Sequence, residues 1–101
     1  MKRPEFKFTY SRDRADLYER NYRLRGTVAT YEMLVDFYSP ITHEGKLIRS
    51  MVYYIMIRCE KVTAQVTATE FFSGQMASGP SWVGPGGRYE MTETGQQKYC
   101  N

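Results

Sequence analysis

The sequence predicts an α+β fold. One small domain would carry an antiparallel sheet of three to four strands, with one or two helices packed on one face, in the order β-α-(α)-β-β-β. Three observations lead there. Residues 12–25 place acids early and arginines late between a serine and a glycine, the charge order of a capped helix. Residues 47–59 and 62–72 read as successive strands; in the second, Val62, Ala64, Val66 and Ala68 alternate with Thr63, Gln65, Thr67 and Thr69. Finally, 101 residues that are 42% hydrophobic and 25% charged make one globular domain, spanning 1–101, with room for a single core.

Taken in order, Phe6 and Phe8 alternate with Lys7 and Thr9, a short strand ending near Tyr10. Ser11 is placed to cap the first helix, with Asp13 and Asp16 in its early turns, Arg20, Arg23 and Arg25 near its end, and Gly26 as its stop. Ala15, Tyr18 and Tyr22 would share one helix face. Over residues 27–38, Val28, Tyr31, Leu34, Val35 and Tyr38 recur at helical spacing, with Pro40 as a stop, which favours a second helix; the β-forming Thr, Val, Tyr and Phe content makes a strand the alternative. Residues 39–45 then connect to the strand pair, which turns at Glu60-Lys61. Residues 88–92 form the last strand, and the polar stretch 95–101 is expected to fray.

Residues 73–87 hold five glycines, two prolines and the only tryptophan, Trp82. That composition excludes a helix or a central strand and marks a long loop within the domain. Gly84-Pro85-Gly86-Gly87-Arg88 lacks the spacing of a phosphate cradle and precedes a strand, so no helix dipole would serve an anion there. The loop is then either a recognition finger presenting Trp82 or a lid laid on the sheet.

The net charge of +3 is unevenly spread: residues 1–25 carry eight Lys/Arg against four Asp/Glu. A basic first quarter fits a phosphate or acidic-protein footprint, against the plainer reading of a solvated face. The start of the chain shows no apolar leader, its longest apolar run (residues 51–57) is too short to span a bilayer, and the two cysteines form no metal motif. A cytoplasmic protein is therefore expected, without cofactor or metal and without contact to a membrane; a Cys59–Cys100 bridge is left open. His43 with Cys59 or Cys100 is the only Cys/His couple available, and Cys59 reads better as a small buried hydrophobe than as a nucleophile.

No catalytic residue is assigned, and the protein is expected not to be an enzyme. The leading expectation is a non-catalytic interaction protein that occludes a protein or protein–nucleic-acid complex, in the manner of a phage- or plasmid-type inhibitor of a host complex. Its contact set would be Trp82, Val83, Met76, Tyr89 and Arg88, since tryptophan, tyrosine, methionine and arginine dominate interfaces. A second basic and aromatic surface would gather Arg12, Arg20, Arg23 and Arg25, and underlies the alternative of nucleic-acid binding. A third reading, a small messenger-RNA-cutting ribonuclease toxin using His43, Glu44, Arg58, Arg88 and Tyr89, shares only the expected order of elements. An exposed edge strand leaves a homodimer open.

Overall fold

The computed structural model describes residues 5–61, 63–90 and 98–100, and the described chain is almost wholly β. Seven strands form one antiparallel sheet: β1 (Lys7–Ser11), β2 (Ala15–Arg25), β3 (Val28–His43), β4 (Lys46–Arg58), β5 (Thr63–Phe72), β6 (Ser81–Gly84) and β7 (Gly87–Glu90). Strands β1 to β6 follow one another across the sheet, and β7 pairs with β5. The only helical residues among those described are 98–100. The expected α+β arrangement is thus corrected to an all-β meander, and the analogy with ribonuclease toxins, which needed the helices, goes with it.

Both expected helices are strands, for readable reasons. Ser11 does not cap a helix: its hydroxyl donates to Asp16 at 2.7 Å, while the Arg12 amide donates to the Ala15 carbonyl across the β1–β2 connection. Gly26 is not a helix stop but the left-handed residue (φ 59°) of the β2–β3 hairpin. Of residues 39–45, expected as a connector, 39–43 extend β3 through Pro40, which sits where the β3–β4 register breaks between Asp36 and Ile41 and so removes no ladder bond. Glu44 and Gly45, both at positive φ, make the two-residue turn into β4.

The sheet has two cores, on opposite faces. Cross-strand partners share a face, so the pairs Ala29↔Ile57 and Tyr31↔Ile55, with Ala64 opposite Ile57, define the first; all five are buried. The tail closes it. Tyr99 lies flat on Tyr31 (4.3 Å between rings, 7° between planes), its hydroxyl donates to Glu19, and the Tyr22 hydroxyl donates to its carbonyl. Burial, and then the bond to the Glu19 carboxylate, push the Tyr99 phenol well above its ordinary pKa. Next to it Cys100 is bonded to Cys59. Of the tail expected to fray, residues 98–100 are therefore anchored; 95–97 and 101 lie outside the described residues, as do 91–92 of the expected last strand and Val62.

The second core uses the other face. Leu34 opposite Val52 is fully buried, as are Ile48 and Ser50 on the same side of β4. Residues 73–80 fold onto this face: the Ser50 hydroxyl donates to the Gly74 carbonyl (2.6 Å) and accepts from the Ala77 amide (3.0 Å), and the Met76 amide donates to Asp36 (2.9 Å).

The change of side along β4, from Ile48, Ser50 and Val52 to Ile55 and Ile57, falls at a bulge in the β4–β5 ladder between Tyr54 and Ile55. The partner edge breaks at the same level. Strands β6 and β7 pair with the upper and lower halves of β5 as one strand interrupted at Pro85-Gly86. A β-carbon on Gly86 would stand 1.8 Å from the Val66 carbonyl oxygen, so only glycine permits this approach. Residues 73–87, expected as loop throughout, thus contain a strand.

Candidate functional site

Trp82 is half-buried and forms part of an aromatic stack at one end of the sheet. Its cross-strand partner is Phe71, and the rings lie 5.7 Å apart with 24° between planes. Phe71 in turn stacks on His43 at 4.6 Å and 22°. Lys46 places its Nζ 4.6 Å from the centre of the Trp82 ring, a cation–π contact. Gly84 leaves the space for Phe71, since a β-carbon there would come within 2.6 Å of the ring. Residues of four strands, β3 to β6, meet here, so the tryptophan is held by regular backbone and not by a free loop. It is neither a projecting finger nor a buried lid.

The other residues expected beside Trp82 are dispersed. Val83, adjacent in a strand, points to the opposite face and is 69% exposed. Met76 is exposed on the segment folded over Ser50 and Asp36. Arg88 is exposed on β7 opposite Gln65, with Tyr89 next in register opposite Ala64, both beyond the Pro85-Gly86 break. The structure therefore brings Trp82 together with His43, Phe71 and Lys46, none of which was assigned to it from sequence. Leu47, beside Lys46, is 65% exposed and adds apolar surface to this end.

The expected basic surface also divides. Arg12 lies in the β1–β2 turn and Arg25 at the far end of β2, about 30 Å away along an extended strand. Arg12 donates to the Tyr10 hydroxyl. Arg20 is committed to Glu32 (3.0 Å) and lies 4.0 Å from the centre of the Phe6 ring, so it is not free for a partner. Only Arg23 and Arg25 stand together and exposed.

Two hydroxyl–carboxylate pairs set the electrostatics of the remaining surface. Asp16 accepts from Tyr38 and then from Ser11, which hold its carboxyl below the usual range. Tyr54 is pushed up to about 12, first by burial and then by its 2.9 Å bond to Glu70. A phenol whose folded pKa exceeds its unfolded value of 10 stabilises the fold fully below pH 10 and loses that contribution as pH rises through about 12. Alkaline titration of the folded protein by tyrosinate absorbance is expected to show a step near pH 12 that Tyr54→Phe removes. A step that survives the substitution would refute the assignment.

Of the side chains considered for catalysis, both cysteines and the histidine have structural partners. Cys59 and Cys100 are joined to each other, and the ring of His43 faces Phe71. Among the described residues no three acids, histidines or cysteines stand together as metal ligands, and no helix is long and apolar enough to cross a membrane.

Residues 7–95 match the family model of surface-adhesin protein E, and the chain belongs to that family. No curated protein and no solved structure shows a significant match to it. The family is one of surface adhesins, so the chain is a binding protein of the adhesin type with an external partner. This corrects the expected cytoplasmic location: a surface-exposed or secreted protein is indicated, and the Cys59–Cys100 bond suits an oxidising compartment. Sequence missed this because two cysteines 41 residues apart, without a motif, read equally well as thiols. Nothing found supports the phage- or plasmid-type inhibitor.

Proposed function

We propose that this protein is a non-catalytic surface binding module that grips a macromolecular partner with the Trp82 end of its sheet. The observation that carries this reading is the His43–Phe71–Trp82 stack with Lys46 above it. A tryptophan already held in one orientation loses little side-chain entropy on binding, and its remaining exposed surface is the kind that dominates interface energies. Leu47 adds exposed apolar surface at the same end of the sheet, and Lys46 adds a charge over the Trp82 ring. The engagement of both cysteines and of His43 in structural contacts supports a binding rather than a chemical role.

The test is the affinity of purified wild-type and Trp82→Ala protein for intact host cells and for the matrix those cells leave behind. Trp82→Ala is expected to cost at least about 2 kcal/mol, some thirtyfold in affinity. Unchanged affinity in a variant that keeps its fold and its disulfide would remove this end of the sheet from the interface.

A further inference from the structure

A second surface lies on the opposite face and at the opposite end of the sheet from Trp82. Strand β2 carries a register shift between Arg20 and Arg23, where Asn21 takes a positive φ of 59°. By simple alternation Arg23 and Arg25 would point away from the face of Arg20; the bulge returns them to it. Two rows then cross the sheet. One runs Arg25, Val28, Arg58, Thr63 and, at the outer strand, Glu90; the other runs Arg23, Thr30, Met56, Gln65, Arg88. Lys61, from the β4–β5 turn, lines with Arg58 and Arg88 a shallow hollow of about 190 Å³.

All five cations are exposed, and among the described residues none of them is in an ion pair. Of the acids near them, Glu32 is held by Arg20 and Asn21, and Glu60 lies in the β4–β5 turn. Strands about 4.8 Å apart put successive cationic columns, on β2, β4 and β7, at intervals of about 10 Å.

We propose that this face binds a linear sulfated polysaccharide lying across the strands. Evenly spaced single cations on an open surface suit a polymer with regularly repeated anions. A folded protein partner would want a desolvated apolar centre, and the residues between the cations, Thr30, Thr63 and Gln65 among them, are mostly polar. Their hydroxyl and amide groups serve instead as donors to sulfate and sugar oxygens. Single-stranded nucleic acid would want aromatic platforms among the cations, and neither row holds one. The proposal relies on the surface location of the family and is independent of the role of Trp82.

The test measures binding of the full chain to immobilised heparin, chemically desulfated heparin and a DNA duplex, at several salt concentrations. Wild type is expected to bind heparin with an affinity that falls steeply with salt, and to bind the other two at least tenfold more weakly. Arg23→Gln/Arg58→Gln/Arg88→Gln, with fold and disulfide intact, is expected to lose at least tenfold, while Arg12→Gln/Arg14→Gln at the far end leaves the affinity unchanged. Absence of heparin binding by wild type, equal binding of desulfated heparin, equal or tighter binding of DNA, or an unaffected triple variant would each overturn the proposal. Trp82→Ala separates the two readings: it is expected to keep heparin binding even where it loses cell binding.

Discussion

Replacing both cysteines, Cys59→Ser/Cys100→Ser, is expected to lower the unfolding free energy by about 4 kcal/mol and the midpoint of thermal unfolding by roughly 15–20 °C. The bond closes a loop with a sequence separation of 41 residues, and chain entropy alone gives that magnitude for such a loop. Its position explains why the native state depends on it. Cys100 follows Tyr99, whose ring covers Tyr31 and completes the core of Ala29, Ile55, Ile57 and Ala64. Without the bond the tail must hold that position by ring stacking and its hydrogen bonds alone. Denaturant unfolding of the wild type with and without reductant is the parallel measurement. Equal midpoints in the two conditions, and in the variant, would show that the tail does not close this core.

Leu34→Ala is expected to cost about 3–4 kcal/mol, the range for a leucine with no solvent contact whose neighbours cannot collapse into the space. Leu34 faces Val52 on the side of the sheet opposite the Tyr99 core. A protein with a single core on the Tyr31 face would leave Leu34 at the surface, where truncation costs within about 0.5 kcal/mol. Val83→Ala, at a position 69% exposed, supplies that reference in the same protein. Similar midpoints for the two variants in urea would contradict the two-core description.

The two cores also explain what could and could not be read from the sequence. In β3 the buried positions are Ala29 and Tyr31 on one face and then Leu34 on the other. Passing from one core to the other places apolar residues three apart, so a strand acquires the spacing of a helix over 28–35. In β2 the arginines that mimic the basic end of a helix serve the sheet surface, and the alternation of Ala15 with Leu17 was the truer signal. The hairpin of β4 and β5 was legible because each strand is long and rich in β-branched residues. Even there the bulge between Tyr54 and Ile55 breaks the simple alternation, leaving Ala64, Thr69 and Phe71 as the buried positions of β5.

Of the candidate site, Trp82 alone was legible. A single tryptophan in a glycine-rich stretch drew notice, but Phe71, His43 and Lys46 reach it from strands far apart in the chain, and only the register brings them together. Strand alternation separates Trp82 from Val83, which adjacency in sequence had joined. The basic residues show the same effect in reverse. Arg23 and Arg25 are 33 or more residues from Arg58, yet two strand spacings away in the sheet, because β2, β3 and β4 are successive neighbours in it.

The central claim is that this chain binds an external partner through the Trp82 end of its sheet. Display of the chain on a non-adherent cell, followed by counting attachment to host cells with wild type and Trp82→Ala side by side at equal display, addresses it directly. Wild type is expected to confer attachment, and Trp82→Ala to abolish most of it. A wild-type chain that confers no attachment, or an attachment indifferent to Trp82, would contradict the account.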